Sequence, residues 1–317
     1  MRRSLPNSST NPDPLPSEDV LVAQLAKGLP QSGRTLTGPG DDCAVVRIPG
    51  AALLQLFKAD AVVEGIHFTR AMPPAQVGRK ALARAVSDIA GMGGKPCEAL
   101  ITLVVPPEVT LTWVEELYAG LKKAARLWGV GLAGGETSSA PPGAPVVISI
   151  ALTGEVPEAC VTHRYGAKPG DIIAVTGRLG NSFAGGWHLN FTPRLAEAEW
   201  LTEHFPPHAM MDLSDGLAKD LPRLAAAGRV GWEIDVGSLP LRDGATSAQA
   251  MGEGEDYELL AVFPAGSWDE LKTAWRKRFP RVPLTKIGII TRKGVKRPRL
   301  SGGWDHFAVK GARASRP

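Results

Sequence analysis

The sequence predicts a two-domain protein of the α/β class, in which helices and strands alternate along the chain. Its 317 residues are long for one average domain and suit two. Strand-like and helix-like apolar patterns follow one another in both halves, as in an α+β arrangement around a shared cleft. Between Gly154 and Gly170, prolines and glycines interrupt the apolar runs, so we place the domain boundary there.

The first half begins with a tail and continues into an N-terminal domain. Residues 1–19 are rich in Ser, Pro and Asn and predict a disordered tail, and residues 20–155 form the predicted domain. Apolar residues at helical spacing predict helices over Val20–Leu29, Gln76–Ile89 and Thr112–Trp128. Short apolar runs predict strands over Ala44–Ile48, Leu53–Phe57, Ala99–Val105, Val130–Ala133 and Val146–Leu152.

The second half, residues 156–317, predicts another αβ domain. Strands are expected over Ile172–Thr176, Leu259–Phe263 and Lys286–Ile290. A helix is expected just after Gly216, because leucines recur there at helical spacing. Asp215 directly precedes this helix, and we expect its side chain to cap the first turn.

Composition argues against several classes of partner. The chain has 36 Lys and Arg against 32 Asp and Glu, a net charge of +4, and part of the excess lies at the two ends. The sequence therefore does not predict nucleic-acid binding. No apolar run approaches the roughly 20 residues of a membrane span, and residues 1–19 lack the apolar segment of a signal peptide. With three widely spaced cysteines and no Cys-x-x-Cys pair, we expect a cytoplasmic protein.

Four short acidic segments, each within one or two residues of a glycine, are the most informative feature of the chain. Asp supplies hard oxygen ligands and glycine permits the tight backbone that gathers them, so these segments predict Mg²⁺ holding a nucleotide polyphosphate. Each segment taken alone also fits an ordinary turn. The four segments are Asp41-Asp42, Ser87-Asp88, Asp212-Leu213-Ser214-Asp215 and Glu255-Asp256.

Two further segments bear on a phosphate site. Alternate residues of a strand share a face, so Lys58 and Asp60 are expected to point the same way. Residues 134–137 are expected to form a glycine-rich loop whose amides face a phosphate, although an ordinary tight turn fits equally well. The chain has no P-loop motif and no protein-kinase motifs, so any phosphoryl transfer must use another fold.

Seven runs resemble the thiamine-monophosphate kinase family, within the aminoimidazole-ribotide-synthetase-like superfamily. They cover residues 40–307 and read, in order, GDDCAVV, DAVVEGIHF, AVSDIAGMGGKP, RYGAKPGD, MDLSDGL, GEDYELL and GWDHF. The resemblance implies the two-domain fold of that superfamily, with an N-terminal domain that binds ATP and pairs into a homodimer. It also implies ATP-dependent phosphorylation of thiamine monophosphate to thiamine diphosphate by direct, Mg²⁺-assisted transfer.

The resemblance also implies roles for individual residues. ATP would contact Tyr118, Gly135, Glu136, Arg164 and Ser214. The thiamine phosphate would contact His67, Glu255 and Trp304. Several magnesium ions would be held by Asp42, Asp60, Asp88, Asp212 and Asp215, with Glu136 matching a further acidic position.

Three of these residues also have ordinary structural interpretations. Arg164 offers a planar fork for phosphate oxygens, but it also suits an ion pair near a domain boundary. His67 beside Phe68 is compatible with a packed core histidine. The ring of Trp304 can stack on a cationic aromatic substrate or simply close the C-terminal segment.

The chain departs from the family pattern at two places. Lys58 and Ala59 stand where a pair of small hydroxyl residues is usual, and Glu136 stands where aspartate is usual. We expect the Lys58 ammonium to replace one cation or to contact phosphate, and Glu136 to coordinate an ion directly or through water. These departures leave open a related superfamily activity or a catalytically weakened nucleotide-binding dimer.

Overall fold

The computed structural model describes residues 15–307. Most of the predicted tail, residues 1–14, lies outside these residues, but Glu18 and Asp19 already belong to the first helix, so the expected tail end at residue 19 is wrong. The N-terminal half comprises α1 (Glu18–Leu25), β1 (Thr35–Thr37), β2 (Ala44–Arg47), β3 (Leu54–Val63), α2 (Pro74–Gly91), β4 (Lys95–Val105), α3 (Leu111–Trp128), β5 (Gly131–Ser139) and β6 (Val147–Val156).

The C-terminal half is a second αβ unit. It comprises β7 (Ile172–Thr176), α4 (Trp187–Asn190), α5 (Leu195–His204), β8 (Ala209–Asp212), α6 (Leu217–Ala227), β9 (Gly231–Ile234), α7 (Ser247–Gly252), β10 (Leu259–Phe263), α8 (Trp268–Arg278), β11 (Leu284–Thr291) and β12 (Lys296–Arg297). None of the helices between residues 15 and 307 has the length and hydropathy of a membrane span. The predicted α/β class with two αβ units is confirmed.

The N-terminal sheet has the strand order β1-β2-β3-β6-β4-β5. Its pairs are antiparallel except for β4 and β5, which run parallel. Helices α2 and α3 pack together, and their apolar residues share one core with the inward residues of the sheet. The other face of the sheet is open, since Phe57 on β3 and Leu100 on β4 are 44% and 51% exposed.

The C-terminal sheet has the strand order β12-β9-β11-β7-β10-β8 and is covered on both faces. Alternate residues of β7 point to opposite sides, with Ile173 in the core that contains α6 and Ala174 in the core that contains α8. Strands buried on both faces read as continuous apolar runs, which is why β7 and β10 were predictable from sequence.

Helix α2 lies between the two sheets. It packs against β3 and β6 of the first domain and against β8 and α5 of the second. Residues around its whole circumference are buried, including the charged side chains of Lys80 and Asp88. A helix buried on all sides carries few solvated positions, so its polar residues lie in the domain interface.

The prediction of a glycine-rich loop at residues 134–137 is wrong. These residues continue strand β5, where Gly135 pairs with Ile101 and Glu136 with Thr102 of β4. A Cβ at Gly135 would lie 1.8 Å from the Ile101 carbonyl oxygen, so the close approach of the two strands requires glycine here. The glycines of this segment therefore allow β4 and β5 to pack closely. The turn propensity of glycine did not indicate this role.

The prediction that Asp215 caps the helix after it is also wrong. Gly216 occupies the N-cap position of α6 and supplies no side-chain cap. Instead, the Asp220 carboxylate, one turn into the helix, accepts hydrogen bonds from the amides of Ser214 at 3.1 Å and Asp215 at 3.0 Å. This leaves the Asp215 side chain available for ion pairs.

We predict that Gly120→Ala destabilises the protein. A Cβ at Gly120 on α3 would lie 1.9 Å from the carbonyl oxygen of Ala75 at the start of α2, so the two helices must separate. Overpacking of this kind costs about 1–3 kcal/mol of unfolding free energy, measurable by urea denaturation. Gly266→Ala is the control, because a Cβ there meets nothing within 4 Å. Equal stability of the two variants would contradict the prediction.

Candidate active site

A cavity of about 760 Å³ opens between the two domains. Both halves of the chain contribute charged and polar side chains to its wall. The N-terminal domain supplies Lys58, Asp60, Arg84 and Asp88, and the C-terminal half supplies Arg164, Asp212, Ser214 and Asp215. Helix α1 also borders the cavity through Glu18, Asp19 and Val22.

Three of the predicted metal ligands converge at the wall of this cavity, which Asp88 and Asp212 line and behind which Asp42 is buried. Each of Asp42, Asp88 and Asp212 offers a carboxylate oxygen, and the three oxygens lie within 4.8 Å of one another. Asp42 precedes β2, Asp88 lies in the last turn of α2, and Asp212 ends β8. Residues that are 46 and 124 positions apart in the chain are therefore joined at one point by the packing of α2 between the sheets.

The electrostatics of this triad favour a cation. All three aspartates are buried, and Asp42 Oδ2 has no hydrogen-bond partner among the described residues. Burial raises the pKa of Asp42, and the Arg164 guanidinium only partly opposes this effect. Burial, followed by the charge of Asp42, raises the pKa of Asp212 to about 7. Crowded carboxylates of this kind are costly to ionise unless a cation binds between them.

Protein groups compensate part of the negative charge. The Lys58 Nζ lies 2.7 Å from Asp88 Oδ1, and the Arg164 Nε donates to Asp42 Oδ1 at 3.1 Å. The Ser87 hydroxyl donates to Asp212 Oδ2 at 2.6 Å. Burial lowers the pKa of the Lys58 amine, but the charges of Asp88 and Asp60 outweigh this and leave the pKa above its ordinary value.

The two other predicted metal ligands line the same cavity but lie outside the triad. Asp60 accepts a two-pronged hydrogen bond from Arg84, at 2.9 and 3.2 Å. Asp215 accepts from Arg223 Nη1 at 2.7 Å, and its carboxylate lies 3.4 Å from Lys219 Nζ. Both aspartates are therefore held by protein cations in this conformation.

The residues predicted to contact ATP fall into two groups. Arg164 and Ser214 line the cavity. Tyr118 is half-buried on α3 and packs against the N-terminal core, whereas Gly135 and Glu136 are exposed on the edge strand β5. None of these last three residues lines the interdomain cavity in the described part of the chain.

The residues predicted to contact the thiamine phosphate lie beside the cavity. His67 accepts a hydrogen bond from the Val63 amide at 3.0 Å and lines a neighbouring cavity of about 370 Å³, together with Asp60 and Arg84. Glu255 is buried and forms an ion pair with Lys80, also buried, on α2.

Trp304 is buried as well. It is only 4% exposed, and its ring meets His306 edge to face at 5.7 Å. In this conformation the indole therefore has no open face for the predicted stacking on a substrate.

Several charged residues of the site were not predicted from the sequence. Lys80 and Arg84 lie on α2 together with Asp88, and the four-residue spacing places all three on one face of the helix. This spacing is visible in the sequence and could have predicted that the two cations lie beside Asp88. Lys219 and Arg223, which contact Asp215, have the same spacing on α6.

The donor set of the triad fits a hard divalent cation. It consists only of carboxylate oxygens, with no cysteine or histidine among the three ligands. Such ligands suit Mg²⁺, which takes a few carboxylates and completes its shell with water or phosphate oxygens. The partnerless Asp42 Oδ2 is the expected position of one such contact.

Family profiles match both halves of the chain. The N-terminal domain of AIR synthase related proteins matches residues 40–156. The C-terminal domain of the same proteins matches residues 171–300. The chain is thus an AIR synthase related protein with both domains of that family.

Comparison with individual proteins shows to which family within this class the chain belongs. The chain is 34% identical to the thiamine-monophosphate kinase of Rhodopirellula baltica, over 88% of this chain and 91% of that protein. It is 33% identical to the Salmonella typhimurium enzyme of the same name, over 86% and 92% of the two chains. A solved structure of AaThiL complexed with AMPPCP and TMP superposes with a TM-score of 0.77 at 30% identity and covers 92% of this chain and 97% of that one. The chain belongs to the thiamine-monophosphate kinase family.

We predict that stabilisation by Mg²⁺ increases with pH. The folded pKa of Asp212, about 7, lies above its ordinary value of 3.8. Between pH 3.8 and about 7, the metal-free folded state therefore binds a proton that the unfolded state does not bind. The stability of the metal-free protein falls as pH rises through this range. Because an ion needs the ionised carboxylate, the Mg²⁺-induced rise in melting temperature should be larger at about pH 8 than at about pH 6.

Thermal unfolding with and without Mg²⁺ measures this difference. Asp212→Asn serves as the comparison, because it removes the titrating group. In that variant the rise should be small at both pH values. A wild-type shift that is equal at both would contradict the prediction.

Proposed function

We propose that the protein is an ATP-dependent kinase that transfers a phosphoryl group to the phosphate of thiamine monophosphate and so forms thiamine diphosphate. The observation that carries this proposal is the convergence of Asp42, Asp88 and Asp212 on a cavity lined by both domains. The family membership supports the choice of substrate, because the related enzymes carry that name.

We further propose Mg²⁺ as the cofactor. The triad would hold the first ion, and Asp60 and Asp215 would add ligands for further ions once Arg84 and Arg223 turn to the phosphates. Bound magnesium would neutralise charge on the polyphosphate and on the transferring group. Glu136 remains a proposed additional ligand that a single chain does not bring to the cavity.

The residues of the chain itself suit positioning rather than covalent chemistry. Arg164 lines the cavity where phosphate oxygens would lie, and Ser214 lines it at the entrance to α6. The buried ion pair between Lys80 and Glu255 fixes the interface behind them. Direct transfer between two bound substrates needs this alignment and needs no phosphorylated protein residue.

His67, Glu255 and Trp304 are proposed to bind the thiamine phosphate. His67 lines the smaller cavity beside the interdomain one. Glu255 would supply the negative charge that a cationic ring system requires once it turns away from Lys80, with which it is now buried and paired. Trp304 would have to move, because its ring is buried in the described conformation.

A homodimer through the N-terminal domains is also proposed. On the open face of the first sheet, Ala59, Ala151 and Leu100 lie side by side and are exposed, and Phe57 is exposed two residues earlier on β3. The edge strand β5 has unpaired backbone groups on its outer side. A second copy of this face would cover both features. The division of the chain into two domains between residues 155 and 156 and the cytoplasmic location complete the proposal.

We predict that the purified protein converts thiamine monophosphate to thiamine diphosphate with ATP and Mg²⁺, as measured by chromatography of the products. Asp212→Asn should lower kcat by at least about 100-fold, a typical cost of losing a charge-stabilising group at the reacting centre. Asp269→Asn, at an exposed position of α8, should leave the rate unchanged. ATP binding without formation of product would overturn the proposed activity.

We predict that Leu100→Glu disrupts the dimer. A charge at this exposed apolar position would be buried against its own copy, at a cost that a single interface cannot offset. Light scattering coupled to size-exclusion chromatography should find a dimer for the wild type and a monomer for the variant. Leu111→Glu, at the 73%-exposed start of α3, is the control and should stay dimeric. A wild-type monomer would refute the dimer.

A further inference from the structure

Lys58 brings a fixed positive charge into the carboxylate cluster. We propose that its ammonium takes the place of one divalent ion, so that the Asp42-Asp88-Asp212 triad binds a single ion where its carboxylates alone would hold two. The proposal rests on the proposed metal-dependent kinase activity and concerns how that same site is loaded.

The strand register places Lys58 at the cluster. Lys58 pairs with the buried Leu152 of β6, on the side of the sheet that carries α2. Its Nζ lies 2.7 Å from Asp88 Oδ1, and its side chain is only 21% exposed. The same side chain lines the interdomain cavity, so the ammonium faces both the triad and the space for substrate.

The hydrogen bonds to the three aspartates leave one carboxylate oxygen free on each of them, and these three oxygens are enough for one ion. Asp88 Oδ1 accepts from Lys58, Asp42 Oδ1 from Arg164, and Asp212 Oδ2 from Ser87. Each aspartate therefore keeps one further oxygen, and that of Asp42 has no hydrogen-bond partner among residues 15–307. Three carboxylate oxygens suffice for one Mg²⁺ that fills the rest of its shell with water or phosphate.

The net charge of the triad and its protein cations also indicates one bound divalent ion. Three carboxylates and the cations Lys58 and Arg164 leave one net negative charge at the triad. One divalent ion already reverses that sign, and a second would meet a net positive site. Without the Lys58 charge the same groups carry two net negative charges, so a second ion would meet a neutral site instead of a positive one, and Asp88 Oδ1 becomes free to bind it.

The competing interpretation is that Lys58 only compensates Asp88 until metal binds and then moves away. In that case the number of bound ions does not depend on Lys58. Counting ions separates the two interpretations without any measurement of activity.

The experiment measures Mn²⁺ bound per chain by equilibrium dialysis and by electron paramagnetic resonance, in the absence of nucleotide. Lys58→Met keeps the length of the side chain and removes the charge, so it should bind one ion more than the wild type. Lys58→Arg keeps the charge and should match the wild type. Lys95→Met is the control, because Lys95 is 69% exposed and pairs with Glu199 away from the cavity.

The outcomes are distinct. An equal ion count in the wild type and Lys58→Met overturns the role of Lys58, whereas no Mn²⁺ bound to any variant overturns the proposed metal site itself. Product formation from ATP and thiamine monophosphate, measured in parallel, tests the kinase activity separately. If Lys58→Met does not fold, Lys58→Gln takes its place, with the same extra ion expected.

Discussion

The structure depends on compensating negative charge in a place where water is largely excluded. Asp42, Asp88 and Asp212 are buried within a few ångströms of each other, and such a cluster persists only when cations balance it. Here the balance comes from Lys58 and Arg164, one from each domain. The cluster thereby ties the two domains together through ion pairs that also shape the substrate cavity.

Much of the fold was predictable because its strands follow simple patterns. The two-sided burial of β7 and β10 produced continuous apolar runs, and α2 showed helical spacing from residue 77 to 89. The short strands β9 and β12 and the helices α5 and α8 were not predicted. Their sequences are short or rich in charge, and their order comes from packing on elements distant in the chain.

The aspartates of the site and two of its cations, Lys58 and Arg164, were predicted from the sequence, whereas Arg84 and Arg223 were not. Aspartates beside glycines indicated a metal cluster, and three of them converge. The partners Arg84 and Arg223 carried no comparable local signal beyond their spacing on a helix. The prediction for residues 134–137 was wrong because the sequence alone does not distinguish a glycine that allows close strand pairing from a glycine in a turn.

The position of helix α2 between the two sheets makes the stability of each domain depend on the other. Its apolar residues belong to the first core, while Ala90 belongs to a core of the second domain. If the chain were cut between the two halves, the N-terminal piece would expose to water the side of α2 that packs on the second domain, and the C-terminal piece would lose the cover over β8. We therefore expect each of the two halves recognised by family profiles to be less stable alone than in the intact chain.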